Sequence, residues 1–488
     1  MAYTILDCYT DEPAGLGVPP YLGTYPRYIY GALLARGEKP HYLTIDDVRL
    51  YRLFSSQPRA GEIKTNIRVH NLTRNSGDVH HILNGTKTLV VIAGIQTPGK
   101  YLAAVPGTLY EVSRLISGLK CRRILAGPAA DIGTRLEGGK MVERLAKDAF
   151  DEVESGYLGT DDYKRVSAFA VRGAEILSQI PYPVIAELET GRGCMGGTCS
   201  FCTEPLKYRL EYRESSDIIK EARMLRKAGV EYFRLGKQSC FYSYRNGDAG
   251  EIENLLRGIS RLSPQVLHID NANPNFVDEK KTRLIVRYCT SGNVAALGAE
   301  SFDADVVAKN RLNATPESVM RAVRIINRHG RARGRDGLPM LLPGINIILG
   351  LNGETRETLE LNHSFLQKIL DDGLMLRRIN IRQVVPFPGT ELYEKAGVRF
   401  IRKNKRRYWG FRNKIRQNID YPMLQRLVPK GTILRNVRME IYDGNTTFGR
   451  QFGTYPLIVG VKGRHPLGKI CDVMVVDHML RSVVGTIA

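Results

Sequence analysis

Short apolar runs alternate with amphipathic stretches along most of the chain. In the first 150 residues, YTILDC (3–8), HYLTID (41–46), TLVVIAG (88–94) and RRILAG (122–127) have the length of buried strands and end in glycine or polar turns. Between the last two, Leu109, Val112 and Ile116 recur at helical spacing, and Thr108 with Glu111 has the form of a capping box. Strands alternating with helices predict a parallel α/β sheet. Ligands of such sheets sit past the carboxyl ends of the strands. Here those ends read DCYTDEPAGLGVPP, AGIQTPGK and AGPAADIG, loops that either let backbone approach a ligand or simply turn the chain.

From about residue 180 to 398 the alternation becomes more regular. VIAELET (184–190), YFRLG (232–236), VLHID (266–270), VAALGAES (294–301), GINIILG (344–350) and RINIRQVV (378–385) read as strands. Helices are expected over 217–229, capped by Ser216 and ended by Gly229, and near 249–261, 278–288, 315–329 and 355–371. This order predicts most of a β/α barrel, with its chemistry at the C-terminal strand ends. Residues 399–416, RFIRKNKRRYWGFRNKIR, form a basic amphipathic helix in which nine Arg and Lys are interleaved with aromatics. Such a segment grips phosphates and stacks on bases, or else is a solvated linker. The remainder reads as short β-runs split by glycine-rich turns, a small β-barrel. The expected organisation is a Rossmann-like α/β domain over 1–150, a partial barrel over 180–398, a basic linker over 399–425 and a β-barrel over 426–488.

Composition narrows the function class. A hydrophobic content of 43% with 25% charged residues describes a globular protein. No run of about 18 apolar residues is present, so no membrane span is expected. MAYTILDCYTDEPAG lacks the basic and apolar regions of a signal peptide, which points to the cytoplasm. The net charge of +21 favours a polyanionic partner, most simply nucleic acid, unless it reflects a generally basic cellular background. Eight cysteines are too few for a disulfide scaffold in a chain of this length.

Three of those cysteines fall in CMGGTCSFC: Cys194, Cys199 and Cys202. Thiolates select zinc, copper(I) or iron–sulfur clusters. A zinc site would need a fourth ligand at matching spacing, and no second CxxC exists. Cys8, Cys121, Cys240, Cys289 and Cys471 stand alone and read as small apolar residues. A [4Fe–4S] cluster held by three cysteines keeps one iron open for a substrate or cofactor. Gly196 and Gly197 let the loop curl closely, and Phe201 offers an apolar face to a flat ring.

On these residues the chain resembles the radical S-adenosylmethionine (SAM) enzymes. In that family a three-cysteine loop follows the first strand of a partial (β/α)6 TIM-type barrel, and SAM chelates the fourth iron. Four residues separate Cys194 from Cys199, one more than the usual loop carries. Leu235-Gly236-Lys237-Gln238 ends the second strand, where the family places a GGE-like motif for the SAM amino group; the acid is missing here. GAESFDADVVAKNRLNATPES (298–318), GINIILGLNGETRETLE (344–360) and VVPFPGTELYE (384–394) resemble the later strand exits of the methylthiotransferase-like branch, with Asn352 in place of a proline. The resemblance implies Cys194, Cys199 and Cys202 as cluster ligands, and Phe201, Gly236, Gln238, Glu300 and Ser301 as the SAM pocket. It implies cleavage of SAM to a 5′-deoxyadenosyl radical that abstracts hydrogen from an unreactive carbon.

The block order also resembles that branch, in which an α/β domain, a radical SAM core and an RNA-binding β-barrel of TRAM type, OB-like in form, modify tRNA. Archaeal radical SAM proteins of unassigned function look closest. The implied partner is RNA, tRNA above all, with no membrane; the electron donor is left open. Two departures matter. The branch holds a second cluster on three N-terminal cysteines, whereas only Cys8 stands at a strand end here. A cobalamin-binding domain usually carries Asp-x-His-x-x-Gly, and DVHHILNG (78–85) has Leu83 in the glycine position, so a cobalamin would bind without a histidine ligand. The alternatives are a cobalamin-dependent methylase of proteins or small molecules, and a non-catalytic metal-containing RNA-binding protein.

Overall fold

The computed structural model describes residues 2–9, 21–54, 71–94, 106–107, 109–132, 149–160 and 162–488. Its strands, in chain order, are β1 (Tyr3–Asp7), β2 (Tyr21–Leu22), β3 (His41–Thr44), β4 (Thr88–Ile92), β5 (Arg122–Ala126), β6 (Glu152–Val153), β7 (Ile185–Glu189), β8 (Gly191–Arg192), β9 (Glu211–Tyr212), β10 (Tyr232–Gly236), β11 (Val266–Ile269), β12 (Asn271–Ala272), β13 (Asn293–Glu300), β14 (Leu341–Leu349), β15 (Arg378–Gln383), β16 (Ile433–Asp443), β17 (Thr446–Arg450), β18 (Ile458–Lys462), β19 (Ile470–His478) and β20 (Ser482–Ile487). The chain forms two compact units.

The first unit comprises Met1–Glu137, Val142–Leu188 and Ser216–Phe233. Its main sheet has the order β3-β1-β4-β5-β6, parallel throughout, as the Rossmann-like expectation required. The continuous apolar runs account for this, because a parallel sheet is covered on both faces. Leu6, Leu43, Leu89, Val91, Val112 and Ile116 share one core. Separately, β2 pairs in parallel with β7. Two helices, Thr24–Ala35 and Tyr163–Arg172, cross at Gly31, where a Cβ would come within 2.0 Å of the Phe169 carbonyl oxygen. The buried Arg27 pairs with Glu221 and donates to the Glu187 carbonyl.

Some local expectations need correction or fall outside the description. The helix Ser215–Lys227 starts before Ser216, so Ser216 lies within the first turn and is not the cap; Gly229, at φ +95°, does end it. DVHHILNG contains the helix Val79–Gly85, and Leu83 is buried in the core. Thr108 and most of the loops after β1, β4 and β5 lie outside the described residues.

The second unit comprises Gly138–Met141, Glu189–Ser215 and Arg234–Ala488. It holds the parallel sheet β12-β13-β14-β15 with its covering helices. β15 is the edge strand. The helix Arg399–Ile415 and the π-turn after it cover that edge: Tyr408 Oη donates to the Ile381 carbonyl (3.5 Å) and Arg416 Nη1 to the Ile379 carbonyl (2.8 Å). An uncovered edge would leave those carbonyls as a pairing template.

The C-terminal strands close into a barrel of order β16-β17-β18-β20-β19. Leu434, Val437, Val459 and Val473 fill it, and Leu338 and Leu342 join the same core. The barrel sits on the loop before β14. Arg333 Nη2 donates to the Leu427 carbonyl (2.7 Å), and the Arg435 N–H donates to the Asp336 carbonyl (3.1 Å). The segment between β17 and β18 reaches farther in. The Thr454 N–H donates to His268 Nδ1 (3.2 Å) and Tyr455 Oη to Asp270 Oδ1 (3.0 Å). Because Nδ1 accepts, His268 must carry its proton on Nε2, which donates to the Ser291 carbonyl (2.9 Å); burial lowers its pKa to about 4. The structure seats the barrel at the N-terminal ends of β13–β15, because its anchoring partners lie on the loop preceding β14.

Candidate cofactor site

The cysteine loop follows β7 and β8 and is held by the segment after the helix Ala304–Lys309. The Ser200 N–H donates to the Asn310 carbonyl and Ser200 Oγ to Asn310 Oδ1, both at 2.9 Å. Asn310 Nδ2 donates onward to the Asn352 carbonyl (2.8 Å). Thr198 Oγ1 contacts the Arg311 carbonyl (3.2 Å) and Asn313 Oδ1 (3.1 Å). A Cβ on Gly196 would fall 2.4 Å from the Asn313 amide, so a larger residue would push that side chain aside. Gly197, at φ +57°, makes the reversal and points its N–H at Cys194 Sγ (3.4 Å). Asn310 and Asn313 were not singled out from sequence, although both lie in the quoted stretch 298–318; two asparagines just past a short helix were the available signal.

All three thiols are half-buried, as a bound group needs if it is to be both held and reachable. Burial pushes Cys199 up to about 12, with Glu300, Cys202 and Cys194 adding to the rise. Burial pushes Cys202 up to about 11, with Glu204 and Cys194 adding. The three thiols thus sense one another, and a metal must displace their protons on binding. Among the described residues no three His, Cys, Asp or Glu side chains gather tightly enough to close on one ion. A single zinc draws thiolates to about 2.3 Å. A cubane takes one thiolate at each of several irons, which sets the sulfurs farther apart.

Glu300 ends β13 at φ +62°, after a register irregularity between Gly298 and Glu300. A non-glycine residue in the left-handed region stores strain that often serves a site. Its Oε2 is buried and has no hydrogen-bond partner among the described residues. Burial raises its carboxyl to about 8, with Arg382 pulling the other way. Phe201 is half-buried against the apolar cluster of Val306, Leu312, Leu351, Val384, Leu392 and Ile401, beside Cys199. Gly236 accepts from the Thr190 N–H (3.3 Å). Gln238 is buried and spends its amide on the protein: Oε1 accepts from the Thr190 hydroxyl and Nε2 donates to the Leu235 carbonyl (3.4 Å). Ser301 is buried, and its Oγ accepts from the Asp303 N–H (3.2 Å). The structure therefore gathers the three cysteines, Phe201 and Glu300, and places Gln238 and Ser301 as internal supports.

Cys8 behaves differently. It is 1% exposed, and its thiol faces the Leu6 carbonyl inside the first unit's core. Three thiols on a glycine cradle, with an orphaned carboxylate oxygen alongside, fit a cluster with an open iron and a polar cofactor on it.

Comparison with known proteins identifies a family. Residues 188–366 match the radical SAM superfamily. An uncharacterized protein of Methanocaldococcus jannaschii is 43% identical over 99% of this chain and 92% of its own length. One from Archaeoglobus fulgidus is 40% identical over 99% and 89%. The ribosomal protein uS12 methylthiotransferase RimO of Clostridioides difficile is 21% identical over 39% of this chain and 41% of that protein. The solved radical SAM methyltransferase TsrM of Kitasatospora setae, bound to tryptophan and a SAM analogue, shares the fold with a TM-score of 0.52 at 13% identity, over 80% of this chain and 75% of that one. The chain belongs to the radical SAM superfamily, whose enzymes use a [4Fe–4S] cluster and SAM.

Proposed function

We propose that this radical SAM enzyme modifies RNA, with tRNA as the leading substrate. Cys194, Cys199 and Cys202 would hold the [4Fe–4S] cluster and leave one iron for SAM. When bound, the cluster supplies the electron that cleaves SAM reductively and so provides a carbon radical. The chain's own residues orient the cofactor and exclude water. Glu300 offers an unpartnered oxygen to the polar part of SAM, Phe201 an apolar wall, and the backbone at Gly236 part of the rim; Gln238 and Ser301 would act by supporting that wall.

The observation that carries the RNA reading is the helix Arg399–Ile415. Covering the β15 edge explains Tyr408, Arg416 and the buried Ile401, Phe411 and Ile415. It does not explain Arg402, Lys403, Lys405, Arg406, Arg407 and Lys414, all exposed, or Trp409, 59% exposed with Arg412 stacked 5.1 Å over its ring. Ile401, on the buried side of the helix, packs in the cluster that touches Cys199 and Phe201. Exposed cations with an exposed aromatic suit a phosphate backbone and its bases.

The test is tRNA binding by anaerobically reconstituted protein across a salt series, with Arg402→Glu/Arg406→Glu alongside. Native protein should weaken steeply with salt, and the double variant should bind roughly tenfold more weakly with a shallower slope. Binding indifferent to salt, or none at all, would sink the RNA reading. The nearest rival is a cobalamin-dependent methylase of a protein or small molecule, and copurified corrinoid absorbance would favour it. Mass spectrometry of tRNA nucleosides from a deletion strain would name the modification.

A further inference from the structure

Arginines gather where the helix Arg399–Ile415 ends against the C-terminal barrel. Arg416 opens the π-turn Arg416–Asp420 and is 6% exposed. Part of its fork is spent, since Nη1 donates to the Ile379 carbonyl (2.8 Å) and pairs with Asp420. Its Nε is buried and has no partner among the described residues. Arg377 repeats the pattern. Its Nη2 donates to the Tyr455 carbonyl (2.6 Å), and its Nε is likewise buried with no partner among the described residues. Arg378, next to it in the chain, stacks on the Tyr455 ring, 4.6 Å from the ring centre. Arg412 lies one helical turn before Arg416, on the same side of the helix.

The barrel adds a further cation. Arg481 lies in the turn between β19 and β20 and is exposed. Crowding by protein nevertheless lowers its pKa to about 10; Arg416, Arg378 and Arg412 lower it as well, and Asp420 pulls the other way. A side chain that is both exposed and crowded lies in a cleft, not on a convex surface. Burial lowers Arg377 to about 10, with Arg378 adding and Asp420 opposing. Both guanidiniums stay charged at neutral pH.

The charge in this cleft does not balance. Asp420 is the carboxylate that acts on both Arg377 and Arg481, and it already pairs with Arg416. Asp270, the acid that holds Tyr455 Oη, is spent on Arg234. Like charges in a crowded cleft repel more strongly than in water. A buried Nε–H without an acceptor adds a desolvation cost. An anion in the cleft relieves both. A guanidinium fork matches the oxygens of a phosphate, and a doubly charged anion answers the excess better than a single carboxylate.

We infer that Arg416 and Arg481, with Arg377 and Arg412 beside them, form a binding site for a phosphate-type dianion. The site is separate from the cofactor site: from Ile401, which packs near Cys199, to Arg416 is about 22 Å along the helix at roughly 1.5 Å per residue. The dianion is inorganic phosphate or the terminal phosphate of a nucleotide strand, and both present the same oxygens. The inference stands on this cleft alone and does not require the RNA reading.

The chain's one tryptophan reports on the cleft. Arg412 lies 5.1 Å over the Trp409 ring, so an anion that draws Arg412 changes the Trp409 emission. The experiment titrates the full reconstituted chain with inorganic phosphate, at an ionic strength held constant with chloride, and follows emission and heat together. Native protein should respond saturably to phosphate and to sulfate, and at least roughly tenfold more weakly to acetate. Arg481→Ala should weaken phosphate binding roughly tenfold, the scale of one hydrogen bond to a charged group. Arg481→Lys, which keeps the charge and loses the fork, should fall between. An RNA strand with a 5′-phosphate, compared with the same strand ending in a 5′-hydroxyl, identifies the source. A tenfold advantage assigns the site to a strand terminus, and equal binding assigns it to free phosphate. Emission and heat that phosphate changes no more than chloride does would overturn the site. So would a phosphate response left unaltered by both Arg481→Ala and Arg412→Gln. Either result would leave the RNA reading standing, because its own test rests on Arg402 and Arg406 farther up the helix.

Discussion

Of the cysteine past β1 and the cysteines past β7 and β8, only the second set is presented. Cys8 follows β1 in the first unit, and Cys194 opens the loop after β7 and β8. Cys8 comes just past the carboxyl end of the parallel strand β1, and Cys194 lies beyond the parallel strand β7, just past β8 of the short antiparallel pair β8–β9; ligands gather past such strand ends. Cys8 turns inward, packed so closely that a Cβ on Gly107 would lie 3.1 Å from its own Cβ. The second loop keeps three thiols half-open because Asn310 and Asn313 brace it while Gly196 and Gly197 let it curl. A strand end supplies a location; a braced loop with small residues supplies a site.

The largest expected effect breaks that contrast directly. Changing any one of Cys194, Cys199 or Cys202 to Ala should reduce iron from about four per chain, the content of a cubane, to a small fraction and abolish SAM cleavage. Cys8→Ala should leave the iron content as it was and cost only about 1 kcal/mol or somewhat more of stability, the scale of losing a small buried group. Iron loss on Cys8→Ala would mean that the first rim, too, contributes a ligand.

A second change loosens the brace but keeps the thiols. Asn313→Ala, or Gly196→Ala, should lower cluster retention roughly 10- to 100-fold against a chelator, the usual scale for groups that orient metal ligands. Unaltered retention in both would show that the cysteines need no such support.

Glu300→Ala should keep the iron and weaken SAM binding roughly tenfold, the loss of one hydrogen bond involving an ionisable group. The shift of the cluster's absorbance on SAM titration reads this out. Unchanged SAM affinity would return Glu300 to a purely structural role.

The smallest effect belongs to the first rim. Asp7 accepts from Tyr42 Oη and the Tyr9 N–H, both at 2.9 Å, yet burial raises it to about 6 from an ordinary 3.8. The folded state then binds more protons than the unfolded chain between those values. Stability from this group is full below about pH 4 and is lost as pH rises through 6, by on the order of 1 kcal/mol or more. Thermal melts should show that decline, and Asp7→Asn should flatten it. An unchanged pH slope in the variant would assign the proton to another buried acid, with Asp47 the next candidate because burial raises it to about 6 as well.

Periodicity made the elements legible. Apolar runs are continuous where both faces of a sheet are covered, and β10 was expected over the residues it occupies. The cluster ligands were legible because three thiols within nine residues are a local pattern. Gln238 shows the limit: its position at a strand end was readable, but its burial and bond to Thr190 depend on a partner 48 residues away.

By itself the sequence determined the strand–helix alternation, the cysteine loop, the basic helix and the family to which they point. All of these depend on residues close together in the chain. Only the tertiary structure decided that Cys8 is buried, that Asn313 braces the loop, that Glu300 carries an orphaned oxygen and that Tyr455 of the C-terminal barrel reaches Asp270. Each of these depends on groups far apart in sequence, and which groups meet is set by how sheets and helices pack, something that local spacing does not encode.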